Sequence, residues 1–144
     1  MSADSGEASR ATNPGSGIRR RATAAVLLIA TIGAGLFVHG ALPDTAATDI
    51  AGDALYAVAV YLAVALVAPR LPAPAVGAIA AAWCTAVELF QLTGLPLEWG
   101  AQFSLVTLVL GTVFDPRDLV VYLATIALAT ALDVGFRAVR TARR

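Results

Sequence analysis

The chain has 144 residues, of which 58% are hydrophobic and 14% charged, and its formal net charge at neutral pH is zero. Soluble globular domains carry about 25% charged residues, so together with a mean hydropathy of +0.77 these values exclude an ordinary soluble domain and point to a membrane protein. The 10 basic residues are all arginines and are balanced by 10 acidic ones, which leaves no broad basic surface for nucleic acid.

Residues Met1 to Gly17 are rich in Ser, Gly, Ala and Asp, with one Pro and no apolar periodicity. Such a segment cannot bury enough surface to order itself, and residues 1–18 read as a disordered cytoplasmic tail. An apolar run follows from Ala22 to Leu42, preceded by Arg19, Arg20 and Arg21 and stopped by Pro43; at about 1.5 Å per residue it crosses a hydrocarbon core of about 30 Å. A cleaved twin-arginine export signal is the rival, but the run is longer than a signal peptide's apolar stretch and further long runs follow it. The second run, Gly52 to Ala68, ends at Pro69; the third, Ala75 to about Leu92, ends at Gly94. Both are of spanning length. Cys84, the sole cysteine, lies inside the third run, so neither a disulfide nor a cysteine metal site can form within one chain, and a packed thiol is expected. A fourth run, about Phe103 to Phe114, is short, and Asp115, Pro116, Arg117 and Asp118 break it. The last, Leu119 to Phe136, is of spanning length and leads into Arg137, Arg140, Arg143 and Arg144.

The arginines set the topology, since Lys and Arg accumulate in cytoplasmic loops. With the N-terminus inside, Arg10 and Arg19 to Arg21 are cytoplasmic, the loop holding Asp44 and Asp49 is outside, and Arg70 is inside again. A fourth run that dips in and returns puts the four C-terminal arginines inside at the expense of Arg117 alone; a full crossing reverses that balance. The expected architecture is an all-α integral membrane bundle, four spanning helices plus one short re-entrant or half-membrane helix over residues 19–137, with both termini cytoplasmic and a basic tail at 138–144.

Three polar pairs share helix faces: Asp53 with Tyr56, Glu88 with Gln91, and Asp118 with Tyr122. In the re-entrant topology all three lie at one depth in the outer leaflet. An ionisable residue within a spanning helix costs about 2.5 to 3.5 kcal/mol on insertion scales and faces the bundle interior, which makes Glu88 the leading candidate. Carboxylates crowded into a low-dielectric site cannot all ionise cheaply, so one of them is expected to serve as hydrogen-bond donor or proton acceptor.

The strings Gly52-Asp53-Ala54-Leu55-Tyr56, Glu88-Leu89-Phe90-Gln91, Leu108-Val109-Leu110-Gly111 with Phe114, and Asp118-Leu119-Val120-Val121-Tyr122 resemble the motif series of the bacterial membrane family named domain of unknown function 2809, over about Ile29 to Tyr122. The Glu-x-x-Gln is also similar to VanZ-like proteins, some of which are linked to glycopeptide resistance at the cell envelope. The resemblance implies a multi-pass membrane protein without an assigned function. The family pattern places an arginine ahead of the Leu-x-Leu-Gly stretch; that region reads Gly100-Ala101-Gln102-Phe103-Ser104 here, and no arginine occurs between Arg70 and Arg117.

Each candidate also has a plainer role. Glu88 and Gln91 can simply hydrogen-bond neighbouring helices, at about 0.6 kcal/mol on average in one studied bundle. Asp53 and Asp118 each stand where a helix is expected to begin, and capping is the simpler reading of both. His39 has no second histidine and no carboxylate at i+3 or i+4, so it reads as an interfacial residue rather than a metal ligand. Trp99 has the position of an aromatic-belt anchor, Asp133 and Arg137 the spacing of a local ion pair, and Gly77 with Ala81 a small-xxx-small spacing. The sequence has no lysine, no second histidine, no Gly-x-Ser-x-Gly, no P-loop and no HExxH, so the common catalytic and cofactor motifs are missing. The expected role is that of a non-catalytic cell-envelope protein. It is expected to bind a lipid, small ligand or membrane partner through the outer-leaflet cluster, and its partners are the lipid bilayer and another membrane protein or a second copy in a homo-oligomer. The alternative is a membrane-embedded enzyme or proton-coupled transporter that uses Glu88.

Overall fold

The computed structural model describes residues 14–111 and 113–142. They form six helices in the order α1 (Pro14–Ala41), α2 (Ala46–Val67), α3 (Ala73–Gln91), α4 (Leu95–Gly100), α5 (Ser104–Leu110) and α6 (Pro116–Ala142). Four of these are long and apolar enough to cross a membrane: Gly17–Ala41 within α1, α2, α3 and α6. The expected N-terminal tail lies outside the described residues up to position 13, and residues 14–18 already belong to α1. At the other terminus the last helix runs on to Ala142, so the basic tail begins as helix, and Arg143 and Arg144 lie outside the described residues.

The start of α2 differs from its expected place for a local reason. Thr45 caps the helix: its hydroxyl accepts from Thr48 N at 3.2 Å, and Thr48 Oγ1 accepts from Thr45 N at 2.8 Å. This is a capping box with threonine where glutamate or glutamine is usual, and it begins the helix six residues before the apolar run. At α3 the chain leaves Pro69 through a tight turn, with Pro72 as the N-cap and Pro74 in the first turn, where a missing N–H costs no hydrogen bond.

On α2 and α3 most buried apolar positions are small. Ala57, Tyr61 and Ala65 of α2, Ala73, Val76, Ala80, Cys84 and Val87 of α3, and Tyr122 and Ile126 of α6 form the core. Their spacing of three and four keeps each set on one helix face. Between helices in lipid no hydrophobic force drives association, and small residues that let backbones approach closely do that work instead. Gly77 is the clearest case: a Cβ there would fall on the Thr130 hydroxyl of α6. Outward-facing positions are large and apolar, such as Ile29, Val67, Leu105 and Phe136, each more than 70% exposed, as a lipid-facing surface requires. Helix α2 is central, packing on α1, α3 and α6, while the backbone of α1 comes close to that of α2 alone.

Both ends of the bundle carry polar networks. At one end Arg20 of α1 donates to Pro69 O at 2.6 Å, Leu71 O at 2.7 Å and Asp133 Oδ2 at 3.0 Å. Asp133 also accepts from Tyr61 at 3.0 Å and from Arg137 at 2.9 Å. The local pair expected from the Asp133 and Arg137 spacing is therefore part of a clamp joining α1, the α2–α3 turn and α6. Since Arg20 near the start of α1 meets residues in the second half of α6, the first and last helices begin and end on the same side.

At the opposite end the chain between α3 and α6 stays on one side. Asp115 N donates to Glu88 Oε2 at 3.4 Å and Arg117 reaches Asp49 at 3.9 Å, so α6 begins beside the end of α3 and the start of α2. The fourth apolar run is resolved into the seven-residue helix α5, packed against α3 and against the unanticipated six-residue helix α4. At about 1.5 Å per residue neither crosses a bilayer.

Candidate functional site: a polar cavity at the acidic end

The three polar pairs reach this acidic end from α2, α3 and α6. Glu88 and Gln91 occupy the buried face of α3 along with Ala80 and Cys84; Glu88 is fully enclosed and Gln91 is 7% exposed. Glu88 Oε2 accepts the Asp115 N–H described above. Gln91 Nε2 donates to Leu110 O at 2.8 Å, which ties α3 to the end of α5. The bond depends on Gly111, whose φ of 65° and ψ of −160° belong to a region essentially restricted to glycine, and whose Cβ would collide with the Gln91 amide nitrogen. Tyr56 donates to Val109 O at 2.7 Å and accepts from Trp83 Nε1 at 3.1 Å. Its ring lies 5.7 Å from that of Tyr122, tilted by 53°.

The carboxylates owe little to helix capping. Asp53 lies in the third turn of α2, because the Thr45 cap starts the helix earlier, and the first-turn acid is Asp49. For α6 the capping side chain is Asp115, whose Oδ1 accepts from Arg117 N at 2.8 Å, with Asp118 in the first turn behind it. Capping thus falls to Thr45 and Asp115, while Asp118 keeps the expected place of an acid in the first turn of α6 and Asp53 does not have that place in α2. Asp53 and Asp118 line one cavity, reached from α2 and from α6.

A cavity of about 360 Å³ opens here, with Asp53, Gln91, Asp118 and Tyr122 in its wall and Arg117, Asp49 and His39 around them. Four buried acceptor atoms, Asp53 Oδ2, Glu88 Oε1, Gln91 Oε1 and Asp118 Oδ1, have no hydrogen-bond partner among the described residues. Each such buried atom left unpaired costs about 1 to 3 kcal/mol, so the site holds surplus acceptor capacity. Arg117 approaches Asp118, Asp115 and Asp49 at 3.6 to 3.9 Å, too far for a hydrogen bond.

The model of a family described as "Protein of unknown function (DUF2809)" matches residues 42–126. The chain belongs to the DUF2809 family. No curated protein and no solved structure matches it. In this DUF2809 protein the matched segment runs from just before α2 into the first half of α6. It therefore contains all six sequence candidates and the cavity's short helices, and it leaves out α1 and the Arg20–Asp133–Arg137 clamp.

The six candidates of the DUF2809 chain divide by position. Four line the polar cavity, Glu88 lies enclosed behind it, and Tyr56 stands at the seam with a second, apolar groove lined also by Trp83. Sequence reasoning passed over Arg117 and Gly111. Arg117 was legible only as a topological cost, and Gly111 only as the last letter of the Leu-x-Leu-Gly string.

Proposed function

We propose that this protein is a non-catalytic, multi-pass envelope protein that binds a lipid, small ligand or membrane partner through the polar cavity. The basic end is read as cytoplasmic under the positive-inside rule and the cavity as opening toward the outer leaflet. One observation carries the reading: three helices direct carboxylates and a buried amide into one cavity while four buried acceptors lack partners among the described residues. A bundle that needed these groups only for packing would satisfy them internally. Recognition by a donor-bearing ligand is the arrangement that uses them.

The alternative, proton transfer through Glu88, is supported by its full enclosure beside the cavity. A deletion strain complemented with Glu88→Gln, Glu88→Ala and Gln91→Leu, with membrane abundance measured for each, separates the two. Binding predicts that Glu88→Gln still complements, because the amide oxygen can accept from Asp115 N, while Glu88→Ala and Gln91→Leu fail at normal abundance. Failure of Glu88→Gln alone at normal abundance would overturn the binding reading in favour of proton transfer.

A further inference from the structure

The polar cavity is continuous with a larger groove of about 940 Å³; Gly35, Asp53, Gln91 and Tyr122 line both. The groove follows α2 from Gly52 to Ala68, about 24 Å at 1.5 Å per residue, which exceeds the roughly 15 Å half-thickness of a bilayer's hydrocarbon core. Beyond Tyr56 and Trp83 its walls are mainly aliphatic, with Leu28, Ile32 and Leu36 from α1, Ala63 from α2 and Ile79 from α3. It is open sideways because α1 and α3 do not pack on each other. One end is rich in acceptors and the rest is apolar, which is the profile of a single amphiphile lying along the bilayer normal.

The charge of the polar end selects the headgroup. Asp53 Oδ2, Asp118 Oδ1 and Gln91 Oε1 are acceptors without partners among the described residues, and Gln91 is a buried side chain lining the cavity. A primary ammonium offers three N–H donors and no acceptor, the complement of this set. Among the described residues no three His, Cys, Asp or Glu are arranged to hold a metal ion, so an organic cation fits better than a divalent metal. Arg117 lines the cavity with its side chain 42% exposed, and its guanidinium, 3.6 to 3.9 Å from three carboxylates and hydrogen-bonded to none of them, can meet a phosphodiester. With a methylene filling about the volume of a water, on the order of 30 Å³, the groove suits acyl chains.

We infer that the site holds one phospholipid whose headgroup carries a primary ammonium, with the ammonium among Asp53, Asp118 and Gln91 and an acyl chain in the groove between α1 and α3. The inference rests on the binding reading above and names its ligand.

The test uses the full chain in bilayer discs with equal mole fractions of phosphatidylethanolamine, phosphatidylcholine and phosphatidylglycerol. Retained lipid is then counted by native mass spectrometry after release into detergent. One retained phosphatidylethanolamine is expected, at roughly tenfold preference over each of the others, the scale of one charge-assisted hydrogen bond. Asp53→Asn combined with Asp118→Asn should abolish the preference over phosphatidylcholine. Ala63→Phe, which fills the groove without touching the acids, should lower retention of every lipid, and this second variant keeps the test decisive if the first fails to fold. Equal retention of the three lipids, a preference for phosphatidylglycerol, or no retained lipid overturns the inference. Free phosphoethanolamine that competes as well as a short-chain phosphatidylethanolamine also overturns it, yet leaves the binding reading standing. If the phosphoethanolamine competition is likewise unaffected in a folded Asp53→Asn, Asp118→Asn double variant, the binding reading falls too.

Discussion

Replacing Gly111 by alanine probes the site from its weakest point. The backbone there has φ 65° and ψ −160°, and holding a non-glycine residue in such a region costs about 1 to 3 kcal/mol. The new Cβ would also occupy the space of the Gln91 amide nitrogen. Gln91 would have to swing away, breaking its bond to Leu110 O and leaving a buried donor unpaired, a further cost of about 1 to 3 kcal/mol. The expected loss is thus about 2 to 6 kcal/mol, concentrated where α5 meets α3. Cys84 supplies the assay, because it is the only cysteine in the chain and is buried: thermal unfolding in detergent is followed by a dye that fluoresces on thiol reaction. Gly135→Ala is the control, since a Cβ at Gly135 meets nothing within 4 Å. Gly111→Ala should melt well below both the parent and the control. Melting of Gly111→Ala together with Gly135→Ala would refute both the strain argument and the placement of Gln91.

Gly77→Ala should destabilise by about 1 to 3 kcal/mol through overpacking against Thr130. A Gly77→Ala, Thr130→Ala double variant should recover most of that loss, and additive effects in the same melting assay would exclude the contact. Asp133→Asn weakens the clamp that Arg20, Tyr61 and Arg137 share, and with Asp133 about a quarter exposed the loss should be about 1 to 3 kcal/mol; an unchanged melting temperature would reduce the clamp to a surface ion pair. Single cysteines at Thr45, Arg117 and Thr141 in a Cys84→Ala background should be labelled in intact cells by an impermeant thiol reagent at the first two positions only. Labelling at Thr141 alone would reverse the assigned orientation.

The spans were legible because long apolar runs report lipid exposure directly, and the arginine balance weighed the right way on the fourth run. Helix boundaries were less so. Thr45 and Thr48 form their capping box with a hydroxyl in place of the usual glutamate or glutamine, so Asp53 looked like a helix start when it is the third turn of one. The same slip gave Asp53 a competing role as a cap, although the shared depth of the three polar pairs already drew it into one cluster with Asp118. Helix α4 escaped notice because its six residues, Leu-Pro-Leu-Glu-Trp-Gly, carry no period long enough to register. The meeting of Asp53, Gln91, Asp118 and Tyr122 at one cavity followed from topology alone, whereas Arg20 and Tyr61 around Asp133 could not be anticipated: they are 113 and 72 residues away from it, and only packing brings them together.

That α1 and α3 do not pack on each other has a consequence for how an occupant of the groove is counted. For the lipid inferred above, a mouth between α1 and α3 would admit molecules by lateral diffusion within a leaflet and not from water. Occupancy then follows mole fraction in the bilayer. Diluting the cells or the vesicles leaves it unchanged, while a change in lipid composition, or extraction into detergent, empties or refills the site at constant protein concentration.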